Sequence, residues 1–196
     1  SIVPVPKQRN DRKENDTIKA GETPKAWKKE PAKLRQKDVD ARWTMKNKQR
    51  HYGYKNHVNA DKKHKLIRRY HVTEASLHDS NAFDEVFDAK NTAKDIWADS
   101  AYRAREREEG LKARGYRSHI HHKGTRGHPL SEAKQAANTR RSRVRARVEH
   151  VFGGQAAMGG KLMRGIGIVR ARAKIGMKNL VYNLQRFVFL AKPAPA

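Results

Sequence analysis

Cysteine is absent from the 196 residues. That excludes disulfides, a thiolate nucleophile and cysteine-ligated zinc, and it fits a reducing compartment such as the cytoplasm. Acids are scarce: 20 Asp and Glu stand against 45 Lys and Arg, for a formal charge of +25. Such an excess draws a polyanion, most commonly nucleic acid. Phosphate attraction is blind to base sequence, so charge alone fits a DNA enzyme, a DNA-binding protein or an RNA-binding structural protein equally well. No apolar run approaches the roughly 20 residues that span a bilayer, so no membrane partner is expected. The mildly apolar start, Ser1 to Pro6, runs straight into charge and makes no secretory signal. No internal repeat is evident. Hydrophobic residues still make up 36% of the chain, enough for one substantial core.

Three stretches differ in texture. Residues 1–50 are basic, with Pro24, Trp27, Pro31, Leu34 and Trp43 as isolated anchors, and read as a loosely structured segment or insertion. Residues 51–190 carry the periodic signals, and 191–196 form a tail. Tyr52, Tyr54 and Val58 alternate, a polar turn follows at Asn59 to Lys62, and Leu66 to Val72 form a second strand, giving an antiparallel pair. Phe83, Val86 and Phe87 share one face of a short helix that Asp79 or Ser80 caps. Asp95 to Ala98 read as a strand with Asp99 at its end, residues 103–114 as a charged helix, and Tyr116, Ser118 and Ile120 as another strand. Val144, Val148, Val151 and Phe152 set the apolar face of a helix that Gly153-Gly154 ends or interrupts. A last helix carries Ala173, Met177, Leu180, Leu184, Phe187 and Val188 as a buried stripe. Strands and helices in this order indicate an α/β core.

Asp99 and Glu149 are the candidate chemical groups. A carboxylate just past a strand projects from the sheet rim, and Glu149 rides a helix anchored by Val148 and Phe152. Glu149 is one of two acids from Gly110 onward, among nineteen Lys and Arg. Metal coordination beside phosphate is one reading; simple pairing with Arg145 is the other. Carboxylates suit Mg²⁺ or Mn²⁺, because hard oxygen ligands hold ions that assist phosphodiester cleavage. Arg140, Arg141, Arg143, Arg145 and Arg147 put five arginines into eight residues, and Lys161 and Arg164 extend the positive field. Arginine forks match phosphate, which favours nucleic-acid contact over a merely solvated face. His119, His121 and His122 fit either a basic contact surface or zinc ligands.

Four stretches together resemble the transposases of bacterial insertion sequences with a ribonuclease H-like core and an Asp-Asp-Glu site: HYGYKNHVNADKKHKLIRRYHVTEASLHDS (51–80), DIWADSAYR (95–103), RVRARVEHVFG (143–153) and GIVRARAKIGMKNLVYNLQR (167–186). The resemblance implies a mixed sheet flanked by helices, with Asp99 as the second catalytic Asp, Glu149 as the catalytic Glu, and both as metal ligands. It makes Arg145 the supporting arginine. It further implies double-stranded DNA, at transposon ends and target, as substrate, a homodimer on paired ends, and a cytoplasmic, nucleoid-associated bacterial protein. Ser142 and Ala156 replace a tyrosine and a lysine of the family pattern, with Lys161 as a displaced substitute. No acid precedes Asp11, whereas the family sets its first catalytic Asp just before a stretch like SIVPVPKQR. The expectation is therefore a first core strand and first ligand upstream of Ser1, and an impaired enzyme or an inactive DNA-binding remnant.

Overall fold

The computed structural model describes residues 1–159 and 162–192. The chain divides into two compact units: Ser1–His57, His71–Leu77 and Gln155–Leu184 in the first, and Val58–Tyr70, His78–Gly154 and the chain from Gln185 in the second. No helix among the described residues is long and apolar enough to cross a membrane.

The first unit is a mixed α/β assembly built on a sheet. Strands β1 (Ile2–Pro4) and β2 (Arg42–Lys46) each pair antiparallel with the long β3 (Gln49–Ala60), and β4 (Ile67–Glu74) also pairs with β3. Three helices, α1 (Arg12–Lys19), α2 (Lys25–Lys28) and α3 (Pro31–Gln36), join β1 to β2. The loose segment expected before His51 is therefore folded. Its order starts at a capping box: the Asp11 carboxylate accepts from the Glu14 N–H at 2.7 Å, and Glu14 accepts from the Asp11 N–H at 3.0 Å. The other Glu14 oxygen accepts from the indole of Trp27 at 2.6 Å, and Trp27 is fully buried. Isolated anchors in the sequence thus become core through a polar cap rather than through periodicity.

Asp38 organises this unit. It is 1% exposed, and its carboxylate accepts from the Tyr54 hydroxyl at 2.8 Å, the Asp40 and Ala41 N–H groups at 3.0 Å and the Gly167 N–H at 3.1 Å. Burial, then the hydrogen bond to Asp38, push the Tyr54 phenol well above its usual pKa, so it stays a donor. Val5, Tyr52, Tyr54, Val72 and Met163 form the core with Ala171 and Ile175 of α7 (Ile168–Ala191). A second buried polar knot joins Asn56, Gln155 and Asn179: the Asn179 side-chain oxygen accepts from Asn56 at 2.8 Å and from Gln155 at 2.6 Å.

Helix α7 turns the other way from the sequence expectation. Its buried side is Ala171, Ile175, Asn179 and Tyr182, whereas Met177, Leu180, Leu184, Phe187 and Val188 are 55–67% exposed. Asn179 forms hydrogen bonds inside, which hydropathy periodicity does not reveal.

The second unit centres on Phe83, Phe87, Leu111, Tyr116 and Ile120. Phe83 opens α4 (Phe83–Val86), and α5 (Arg105–Ala113) connects the two-residue strands β5 (Asp95–Ile96) and β6 (Arg117–Ser118), which pair in parallel. Backbone bonds from His119 N–H to Ile96 O at 2.7 Å and from His121 N–H to Ala98 O at 3.1 Å continue the alignment past the strand ends. His78, not Asp79 or Ser80, caps the 3-10 turn Asp79–Ala82 that leads into α4, its side chain accepting from Ser80 N–H. Helix α6 (Glu132–Ala157) runs straight through Gly153-Gly154, which the sequence marks as a stop. Glycine in a helix costs about 1 kcal/mol against alanine, too little to break one anchored at both ends.

Replacing Asp38 by Ala strands several buried donors and is expected to cost about 3 kcal/mol or more. Tyr54→Phe, which leaves the backbone bonds in place, costs about 1 kcal/mol. Chemical denaturation reads both as midpoint shifts. Gly53→Ala places a methyl on the Val3 carbonyl oxygen and 3.0 Å from the Val5 nitrogen, so a loss of about 2 kcal/mol is expected in the same assay.

Candidate active site and nucleic-acid interface

Asp99 follows β5 in extended conformation and opens a 3-10 turn, Ser100–Tyr102. Glu149 lies on α6, whose Val151 is fully buried and fixes the rotation of that turn of helix. One side chain joins the two acids. The Arg145 guanidinium stands 3.3 Å from an Asp99 oxygen through one terminal nitrogen and 3.3 Å from a Glu149 oxygen through the other. Both carboxylates are half exposed or more, at 50% and 61%. Ion pairs of that exposure are worth at most about 1 kcal/mol each. Arg145 therefore gathers the carboxylates without locking them. Of the two readings of Glu149, the pairing with Arg145 is present in the structure.

Two polar atoms beside this cluster are buried without a hydrogen-bond partner: Nε of Arg145 and Nε2 of His121. Burial first, then the Arg145 charge, lower the His121 pKa, with Asp99 opposing. The imidazole is neutral as a result. Burial followed by the Asp79 and Asp99 charges pushes the neighbouring Tyr102 phenol up to about 12. Among the described residues no group of three His, Cys, Asp or Glu is placed to hold a metal ion.

The arginine run separates into two roles. Arg141 donates to the Ile120 carbonyl at 2.6 Å, and Arg145 is held by the acids. Arg140, Arg143 and Arg147 are exposed and recur at spacings of three and four, so they line one helix face. Arg164 is exposed in the first unit, and Lys161 lies outside the described residues. Asn138 pins the start of α6 by accepting from His122 N–H at 2.8 Å and donating to His122 O at 3.0 Å. His119 has a structural setting instead: it bonds Asp95 at 2.9 Å and stacks on Trp97 with ring centroids 4.7 Å apart. Arg117 clasps the same Asp95 through two 2.8 Å bonds, which hold that carboxyl well below the usual range. Trp97, His119, Ala137, Arg140 and Arg141 line a cavity of about 250 Å³.

A family model for the transposase DDE domain matches residues 3–184. The chain belongs to that family. A transposase for insertion sequence element IS1106, from Neisseria meningitidis serogroup B, is 31% identical over 117 residues, covering 60% of this chain. The matched region spans 40% of that relative's length. No solved structure matches the chain.

Within this DDE domain, sequence reading missed the placement of His121 against Arg145 and Asp99. The alternation of His119 and His121 was visible, but only the parallel register of β5 and β6 separates their roles. His122 behaves as His121 does, its pKa lowered by burial and then by Arg141 and Arg103. The unfolded chain thus takes up these protons first, so their contribution is complete above the ordinary value of 6.5 and declines as pH falls below it. Urea midpoints are expected to drop on acidification below about 6.5, and less steeply in the His121→Asn/His122→Asn double variant.

Proposed function

We propose that this chain is the carboxylate-bearing catalytic part of a bacterial DNA transposase on a ribonuclease H-like sheet, with Asp99 and Glu149 as its metal ligands. The observation that carries this reading is the single guanidinium shared by Asp99 and Glu149. Two acids from distant parts of a chain with +25 net charge are brought to one point, partly solvated and weakly held. That is a poor stability device and a usable reaction site. Mg²⁺ accepts one or two carboxylates and fills its shell with water and phosphate, so the pair fits Mg²⁺ or Mn²⁺. A divalent ion bound there supplies polarisation of the attacking oxygen and charge neutralisation at the leaving one.

The protein's own groups do the rest. Arg140, Arg143 and Arg147 hold the phosphate backbone of duplex DNA along the exposed face of α6. Arg145 bridges the two acids and turns to phosphate when DNA arrives. Neutral His121 adds a polar atom without adding charge. The reaction is phosphodiester hydrolysis at transposon ends, followed by attack of the freed 3′ hydroxyl on target DNA. Two copies act on paired ends, in the cytoplasm and on the nucleoid.

With no group of three His, Cys, Asp or Glu placed to hold a metal among the described residues, the chain alone binds DNA but is impaired in cleavage. Mn²⁺ binding followed by electron paramagnetic resonance is expected to weaken at least tenfold in Glu149→Gln and Asp99→Asn; unchanged binding would remove the metal-ligand assignment. Duplex DNA binding should weaken steeply with salt. Arg143→Ala and Arg147→Ala should each reduce the log–log salt slope by about 1, and tighter binding to structured RNA than to DNA would point to the RNA-binding class. Strand cleavage by the purified chain on end-containing DNA, abolished by Asp99→Asn, would overturn the impairment. DNA binding with no Mn²⁺ binding would mark a non-catalytic remnant.

A further inference from the structure

Helix α7 is apolar on two opposite faces. One face is buried through Ala171, Ile175 and Tyr182. The other carries Ala173, Met177, Leu180, Leu184, Phe187 and Ala191 at alternating spacings of four and three, which is a heptad seam, with Val181 and Val188 beside it. Every large residue of that seam is bare: Met177 67%, Leu180 58%, Val181 43%, Leu184 55%, Phe187 63% and Val188 59% exposed. Six such side chains offer on the order of 600 Å², as much as the largest patch on a typical monomer and close to the ~800 Å² each partner buries in a standard interface.

The chemistry of the seam selects its occupant. No charge lies on it, so it does not contact phosphate. The helix has five basic residues (Arg170, Arg172, Lys174, Lys178 and Arg186) and no acid. Four of the five lie in its first half. Two parallel copies would set those four against four, next to two positive helix ends. Antiparallel copies set them against the partner's apolar half and its negative carbonyl end. The seam is also complementary to itself in that direction: Leu180 meets Leu184, Met177 meets Phe187, and Ala173 meets Ala191.

We propose that the exposed seam of α7 is an interface that pairs antiparallel with α7 of a second copy of this chain, about a two-fold axis level with Tyr182. This supplies a surface for the paired copies proposed above and rests on that reading only for its biological use. It stands or falls independently of metal binding and cleavage.

Light scattering on the full chain at micromolar concentration is expected to give twice the 22.5 kDa chain mass. The Leu180→Glu/Leu184→Glu variant should give the single mass with unchanged helical circular dichroism. Because the chain has no cysteine, the register is read directly. Mixing Leu180→Cys protein with Leu184→Cys protein should yield a disulfide-linked mixed dimer, while either alone links poorly. Like positions are offset by four residues, about 6 Å along the axis before the interhelix gap is added, beyond easy disulfide reach. A monomeric parent chain, a dimer that survives both Glu substitutions with its fold intact, or efficient linking of Leu180→Cys to itself would each overturn the proposal. A monomer that instead partitions onto lipid vesicles would identify the seam as a membrane-surface face and overturn it too.

Discussion

An ionised carboxylate buried without compensation would cost several kcal/mol, and the first unit is arranged around avoiding that cost at Asp38. Its oxygens take the hydroxyl of Tyr54 from β3, two N–H groups of its own turn, and the N–H of Gly167 just ahead of α7. Asp40 secures the next residue by accepting from Ile168 N–H at 2.8 Å. The long connection from β1 to β2, the central strand and the start of the last helix are thereby tied to one point. The rotation of α7 follows from it: Ala171 and Ile175 face the core, and Asn179 meets Asn56 and Gln155. The heptad side is left outward because the helix can bury only one face against its own sheet.

Magnitude separates the acids of this chain by role. Asp38 is sealed and multiply bonded, so removing it unravels packing. Asp95 is clasped by Arg117 and His119 and fixes the rim of the short parallel pair. Asp99 and Glu149 each meet Arg145 at 3.3 Å in partial solvent, and Asp99 also accepts from the Ser100 hydroxyl at 3.1 Å, so neither is sealed as Asp38 is. Scarcity sharpens this division. Against 45 basic residues, a carboxylate that stays accessible does so because stronger structural anchors are already in place elsewhere.

Several features were legible from the chain alone. The Tyr52–Tyr54 alternation marks buried positions of β3, the Phe83–Val86–Phe87 cluster marks the second core, and the four-residue spacing of Arg145 and Glu149 marks their pairing; no spacing along the chain joins Asp99 to Arg145. The folded start of the chain was legible in principle, through the Asp11–Glu14 capping signature, but its few apolar residues mask it. The length of α6 was not legible, because tertiary anchors at Asn138, Arg141 and Gln155 outweigh two helical glycines.

The sequence by itself determined the charge, the absence of thiol chemistry, the class of fold and the family, since these depend on composition and on order along the chain. Tertiary structure alone decided which face of α7 is buried. Both faces are apolar enough on paper, and the choice turned on hydrogen bonds that Asn179 accepts from residues 123 and 24 positions away. It likewise decided the roles of the acids. The scarce acids are distinguished by solvent exposure and partner geometry, and neither quantity exists until the chain has folded.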